Sequence, residues 1–452
     1  MHIHILGICG TFMGGIALIA RAAGHKVTGC DQNVYPPMST ELAEAGIEIM
    51  QGFGAEQLDC KPDLIVVGNV MKRGMPVIER MLNEKLPYVS GPQWLYEHYL
   101  KDKEVLAVAG THGKTTTTAM LAWILEVCGR KPGFLIGGVP ENFKQGARAS
   151  DSPYFVIEAD EYDCAFFDKR SKFVHYHPTV AILNNLEYDH ADIFENLGMI
   201  KKQFHHLVRT IPGRGSVVVP SFDQNIADVL NMGLWSHKVI FGDDAGFNAR
   251  LLNAEGSECE LMYQGQVLGQ FTLPCCGLHN VHNALAAIAA ARCIGIEPMD
   301  AARALGSYKL PKRRLQLAAQ KGGVQIFDDF AHHPTAVKAT LDGLRAHVGP
   351  DCRIIAVFEP RSNSMKMGAN STALHSSFDS ADEVLLYQGP AVHFDVKAAM
   401  AQCQKPCTVF TDFEALLDAL KERLTGRCAL LCMSNGSFNG LTSKLAAALQ
   451  AA

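Results

Sequence analysis

Apolar residues in the first hundred positions gather in short runs at His2–Leu6, 26–30 and 64–67 and again near Tyr88. Between these runs, apolar residues recur at helical spacing over 14–23, 41–45 and 76–84. Short strands alternating with amphipathic helices predict βαβ units and hence a parallel sheet. Residues 99–104 are mostly charged or polar, which places a boundary near residue 102. The alternation resumes with an apolar strand before Gly110, strands over 154–157 and 180–183, and a long Ala-rich helix over 280–293. Gly-Ser-Tyr-Lys-Leu-Pro at 306–311 reads as a hinge linker. Beyond it, strands are predicted near 324–327, 353–358, 383–386, 408–410 and 429–433. The expected fold class is α/β, with three domains in series over 1–102, 103–308 and 309–452. Rossmann-like first and last domains flank a P-loop ATPase-like domain with a mostly parallel sheet.

Within this pattern, AVAGTHGKTTTT at 107–118 has the strongest chemical meaning. An apolar strand runs into Gly110, Thr111, His112, Gly113, Lys114, Thr115 and Thr116, and a helix follows. Glycines let backbone N–H groups close around phosphate oxygens, the helix N-terminus adds positive potential, Lys114 reaches the terminal phosphates, and a threonine hydroxyl ligates Mg²⁺. The segment departs from the strict G-x-x-x-x-G-K-[ST] pattern, because Val108 stands at the first glycine position and the loop has Gly110 instead. A nucleoside triphosphate is still the expected ligand.

Three other groups of residues lie at predicted strand ends. Gly7, Gly10, Gly14 and Gly15 follow the first strand, and Asp31 ends the second; a dinucleotide and a nucleotide-linked substrate fit this cluster equally well. Glu158-Ala-Asp-Glu-Tyr-Asp163 and Asn184-Asn-Leu-Glu-Tyr-Asp-His190 bring carboxylates and an imidazole to the end where the phosphate loop opens, suited to completing magnesium shells. His175 and His177 read as structural. In the third segment, Lys312, Arg313 and Arg314 follow the linker, and an arginine there can reach back to the triphosphate when domains close. Asp328 and Asp329 end a strand, where a carboxylate suits a ribose.

Composition narrows the classes. The chain has 452 residues, 48% hydrophobic and 19% charged, room for roughly three average domains. A net charge of −5 and a pI near 6.4 offer no electrostatic footprint for nucleic acid or an anionic membrane. Fourteen scattered cysteines without a C-x-x-C pair suggest reduced thiols and a cytoplasmic location rather than a disulfide framework or a zinc site. The N-terminal apolar run lacks a basic region and a cleavage site, and no uninterrupted apolar run approaches the ~20 residues of a membrane span.

In order, the segments GxxGxxxxG, AGTHGKTT, EADE, NNLEYDH, GLHNVHNALAA, KRRLQ and DDFAHHPT resemble those of the Mur ligase family along essentially the whole chain. The resemblance implies ATP and Mg²⁺ as cofactors and an amide-forming reaction through an acyl phosphate. Lys114, Glu158, His190 and Arg314 would be the catalytic residues. Lys114 and the loop backbone from Gly110 to Thr116 would hold the ATP phosphates, with Arg314 also reaching them. Asn280 and Asn283 would approach the adenine and Asp329 the ribose. Thr115, Glu158 and His190 would bind magnesium, and His190 or another histidine would accept a proton. Gly10, Thr11, Asp31 and Asn69 would face a UDP-sugar, and Arg361, Ser362, Asn363 and Lys366 the peptide, where an arginine pairs bidentately with a carboxylate. Several members carry a carbamylated lysine where this chain has His205 and His206, so no carbamate is expected.

ICGTFMGG, GNVMKRGMPVIE, YVSGPQWL, EPRSNSMKMG and SNGSFNG are similar to the member that joins UDP-N-acetylmuramate to the murein tripeptide L-alanyl-γ-D-glutamyl-meso-diaminopimelate. The alternative within the family is the ligase that adds L-alanine. A nicotinamide oxidoreductase would leave GTHGKTT without a use, and a binding module without turnover would leave the acidic segments without one. Sequence leaves the oligomeric state open.

Overall fold

The computed structural model describes residues 1–35 and 38–451. Its first sheet has five parallel strands in the order Glu48–Gln51, Lys26–Asp31, His2–Leu6, Leu64–Val67, Tyr88–Ser90. Connections leave His2–Leu6 in opposite directions, which opens a crevice at its carboxyl end. Gly7 turns the chain there at φ 79, a left-handed conformation that suits glycine, and helix Thr11–Ala22 follows.

Gly14 and Gly15 serve packing. A Cβ on Gly14 would overlap Met38, and one on Gly15 would overlap Leu135 of the next sheet. Helix Thr11–Ala22 thus presses its bare backbone onto strands Gly133–Leu135 and Ala147–Arg148. One continuous apolar cluster results, joining Ile16 and Ile19 to Leu135, Ala147 and Phe155.

The second sheet has ten strands, parallel through its middle and antiparallel at both ends. Its central strand, Glu104–Ala109, alternates sides with period two. Val105, Ala107 and Ala109 enter the cluster shared with the first sheet, whereas Leu106 and Val108 enter the cluster under helices Lys114–Val127 and Leu278–Cys293. The antiparallel extension Phe247–Leu251, Glu258–Tyr263, Gln266–Thr272 is absent from the sequence expectation. Most of its last strand is exposed, so no run of apolar residues marks it. A hairpin signal was present in Gln264-Gly265, which turn at φ 49 and 75.

The third sheet has six strands, antiparallel only at Gln316–Lys321. Its two cores contain only residues beyond 314. The run at 306–311 is strapped down rather than free: Tyr308 is buried with its hydroxyl donating to Thr116 O, and Asn142 bonds both Ser307 O and Lys309 N. Left-handed backbone at Arg313 (φ 61) and Leu315 (φ 45) marks the turn into the third sheet. All fourteen cysteines are free, and no described helix is long and apolar enough to cross a membrane.

His4, fully buried in the first sheet, bonds Thr28 Oγ1 through Nδ1 at 2.9 Å and has no partner for Nε2. Burial, with a smaller push from His2, lowers its pKa to about 4. The unfolded chain then binds the extra proton between pH about 6.5 and about 4, so stability falls as pH drops through that window. Thermal unfolding at pH 7.5 and 5 should show this loss, and His4→Gln should diminish it.

Candidate active site

Strands Tyr154–Glu158, Glu104–Ala109 and Val180–Leu183 are neighbours in parallel register, pairing Val108 with Glu158 and Ala109 with Leu183. The phosphate loop, the acidic run and the Asn-Asn-Leu-Glu-Tyr-Asp-His segment therefore leave one sheet edge side by side. Gly110 (φ 144) and Gly113 (φ 76) give the loop its curvature. A Cβ on Gly113 would lie 2.6 Å from Asn283 Oδ1 and 2.8 Å from Asn184 Nδ2, so the loop leaves no room for a side chain there. Helix Lys114–Val127 starts at Lys114, and the N–H groups of its first turn are free for an anion.

Lys114 Nζ lies 2.9 Å from Glu161 Oε2 and 3.8 Å from Asp160 Oδ1, and His190 Nε2 lies 3.1 Å from Glu161 Oε1. Thr115 Oγ1 donates to Glu158 Oε1 at 3.1 Å, and the Gly137 N–H donates to Glu158 Oε2 at 2.7 Å. Burial works against the Lys114 ammonium, but Glu161 and Asp160 outweigh it and raise its pKa. Burial raises the Glu158 pKa. Asp160 moves down despite burial because Lys172 and Lys114 face it, and His190 moves up despite burial through its bond to Glu161. Asp160, Glu161 and His190 each offer one ligand atom within 4.8 Å of the others, a set of hard oxygens and one imidazole that fits a divalent cation. Glu161, which the sequence placed only within the acidic run and not by itself, is the hub of this cluster.

A cavity of 510 Å³ opens beside the loop, lined by Asn280, Asn283, Arg314 and Asp329 among others. Asn283 Oδ1 accepts from Asn184 Nδ2 at 2.8 Å, and Asn280 Nδ2 donates to Cys276 O at 2.8 Å. Phe222 and His282 also line it, their rings 4.7 Å apart and 33° from parallel, an aromatic pair that the sequence did not reveal. Arg314 lines both this cavity and a second one of 940 Å³ that contains Lys114, Glu158 and His190. Its guanidinium stands over the Phe330 ring at 5.0 Å and forms no ion pair among the described residues. Asp329 has a further role: it accepts from Leu315 N at 2.6 Å and Ala331 N at 2.7 Å, pinning the turn that carries Arg314.

Arg361, Ser362, Asn363 and Lys366 line the 940 Å³ cavity. Ser362 also caps a short turn through Met365 N at 3.2 Å, and Asn363 Nδ2 donates to Asp192 at 2.8 Å. Gly10, Thr11, Asp31 and Asn69 line a third cavity of 320 Å³ at the first sheet. Asp31 there accepts from Cys9 N at 2.9 Å and Asn33 N at 3.1 Å, fixing the glycine loop. His205 lies beside Trp235, and neither His205 nor His206 lines these cavities. His175 is held by Asp168 at 2.8 Å, in keeping with a structural role.

Residues 2–102 match the family model described as "Mur ligase family, catalytic domain", 108–291 the "Mur ligase middle domain", and 313–436 the "Mur ligase, glutamate ligase domain". The chain belongs to the Mur ligase family. It is 53% identical over 445 residues, covering 98% of this chain and 97% of the relative, to the UDP-N-acetylmuramate–L-alanyl-γ-D-glutamyl-meso-2,6-diaminoheptandioate ligase of Escherichia coli (strain K12). The Haemophilus influenzae protein of the same name is 49% identical over 444 residues, 98% of each chain. The crystal structure of a murein peptide ligase from Psychrobacter arcticus 273-4 superposes with a TM-score of 0.75 at 44% identity, over 99% of this chain and 98% of that one.

In this Mur ligase the third sheet's domain docks partly through polar contacts on the strip 187–192, and partly through His347, 2.7 Å from Glu255, and the close approach of Gly343 to Gly277. Glu187 joins the phosphate loop to that domain: its carboxylate lies 2.9 Å from His112 Nε2 and 3.4 Å from His333 Nδ1, and accepts from Thr335 Oγ1 at 3.0 Å. Burial opposes its charge, but these partners hold its pKa at about 2. Asp189 accepts from Ser364 Oγ at 2.7 Å and from His190 N at 2.7 Å, which holds His190 at φ 55. The metal-suited histidine and the docking strip are thus one segment.

Removing Glu161 leaves the Lys114 ammonium with only the longer contact to Asp160. Glu161→Ala should therefore cost about 3 kcal/mol of folding stability, read by urea unfolding. An unchanged midpoint would show that Asp160 alone suffices.

Proposed function

We propose that this chain joins the lactyl carboxylate of UDP-N-acetylmuramate to the α-amine of L-alanyl-γ-D-glutamyl-meso-diaminopimelate, using ATP, in cytoplasmic peptidoglycan recycling. The observation that carries the reading is the 940 Å³ chamber, in which Lys114 and the acidic cluster face the same space as Arg361 and Lys366. A triphosphate end and a peptide rich in carboxylates both have cationic partners there. The identity to relatives named for this substrate pair, over nearly the full length of both chains, supports the same choice. We divide the chain into domains at about 102 and 308, a reading supported by the separate spans of the strands in the three large sheets. The first domain holds the sugar nucleotide through Gly10, Thr11, Asp31 and Asn69, the second holds ATP, and the third brings the peptide.

Amide formation needs an activated acyl group, because a carboxylate oxygen does not leave. The lactyl carboxylate attacks the γ-phosphate, ADP departs, and an acyl phosphate forms. Lys114 offsets the negative charge that accumulates between the two anions, and Arg314, placed at the junction of both cavities, meets the same phosphates from the third domain. Asn280, Asn283, the Phe222–His282 pair and Asp329 orient the nucleoside. Thr115, Glu158 and His190, the last with its Asp160–Glu161 neighbours, would hold magnesium, which would supply charge neutralisation at the phosphates. The peptide amine then adds to the acyl carbonyl, and phosphate leaves from the tetrahedral adduct, taking up the proton that the amine gives up. An α-amine has a pKa near 7.7–8.0, so a sizeable fraction is neutral without a strong base. Arg361 pairs with a peptide carboxylate bidentately.

Incubation with ATP, UDP-N-acetylmuramate and either the tripeptide or L-alanine tests the reading. Phosphate release is expected with the tripeptide, and release with L-alanine alone would replace this assignment by the alanine ligase. Lys114→Ala should lower turnover at least about 100-fold with an unchanged circular dichroism spectrum. Retained activity would remove Lys114 from the chemistry.

A further inference from the structure

Lys172 is a buried cation that the steps above leave unused. It follows the hairpin Asp163–Ala165 and Asp168–Ser171 of the second domain, yet it lines the 320 Å³ crevice of the first. That hairpin is fixed against the first domain, with Ala165 inside its apolar core and the Phe167 ring edge-on to Tyr88 at 4.8 Å. The Lys172 side chain is 11% exposed. Its Nζ lies 3.0 Å from Asp160 Oδ2 and 5.2 Å from the centre of the Phe12 ring, in the first turn of helix Thr11–Ala22. Lys172 is the one cation among the described residues lining that crevice.

Two observations point to a ligand. An ammonium has three donors, and among the described residues Asp160 is the only acceptor that engages this one. Asp160 is also shared: its other oxygen lies 3.8 Å from Lys114 Nζ. A single carboxylate thus tethers two ammonium groups, one facing each nucleotide cavity. The cavities meet, since Tyr35 lines both.

We infer that Lys172 binds an anionic oxygen of the sugar nucleotide, and that Asp160 holds it in register with Lys114. The inference rests on the substrate reading above. Two anions of that substrate have the required chemistry, the pyrophosphate and the lactyl carboxylate. The helix N-terminus beside Phe12 supplies N–H donors but no full charge, and Lys172 adds one. Its ammonium stands where the reacting carboxylate must pass between the crevice and Lys114.

Calorimetric titration of the full chain without ATP tests this, using UDP, UDP-N-acetylglucosamine and UDP-N-acetylmuramate against wild type, Lys172→Met and Lys172→Arg. Lys172→Met should weaken binding about 10- to 100-fold, the effect of losing one charge-assisted hydrogen bond, and Lys172→Arg should recover most of it. An equal loss for all three ligands assigns the pyrophosphate; a loss confined to UDP-N-acetylmuramate assigns the lactyl carboxylate. Unchanged affinity of folded Lys172→Met for every ligand overturns the inference while leaving the substrate reading intact. Failure of the wild type to bind UDP-N-acetylmuramate overturns both. Should Lys172→Met not fold because Asp160 loses its partner, Lys172→Met with Asp160→Asn restores charge balance and is held to the same outcomes.

Discussion

A lysine ammonium taken out of water must be given carboxylates in return, and the centre of this molecule is organised around that requirement at Lys114. Glu161 supplies one partner at 2.9 Å and Asp160 another at 3.8 Å. Both sit just beyond strand Tyr154–Glu158, which must lie directly beside Glu104–Ala109 to deliver them. The same carboxylates engage His190 from the strand on the other side and Lys172 from the hairpin. Three strand ends and the segment after the hairpin meet in this cluster, whose charges are stable only together.

The three domains are joined in two different ways. The first two share one apolar cluster, with helix Thr11–Ala22 seated on the second sheet. The third keeps its own cores and meets the rest through carboxylates, hydroxyls and the strap at 306–311. Polar contacts exchange for water at lower cost than an apolar seam does, so the seam to the third domain is the one that opens more readily.

Much of this was legible in the sequence because strands buried on both faces read as apolar runs: His2–Leu6, Leu64–Val67, Val180–Leu183 and Arg353–Phe358 lie where hydrophobicity placed them. The half-exposed extension at 247–272 was not, since one wet face breaks the run. Motif chemistry brought Lys114, Thr115, Glu158 and His190 to one chamber. What it missed depends on pairing in space. The side chains of Glu161, Lys172 and Glu187 matter through hydrogen-bond and ion-pair partners 12 to 148 residues away, from Asp160 on Lys172 to Thr335 on Glu187. The first glycine cluster divided by function only in three dimensions: Gly7 turns a loop, while Gly15 admits a neighbouring sheet.

That division at Gly15 governs which parts of the chain are interchangeable. A cut at residue 102 looks natural on a linear map, yet it severs a helix from the sheet it lies on and exposes Leu135 and Ala147 to water. A cut near 312 parts mainly hydrogen bonds. Chimeras that trade the third domain for another can therefore inherit an intact partner, whereas the first domain and the phosphate loop have to be inherited together. In engineering terms the molecule has two modules, and it is open to recombination at one seam only.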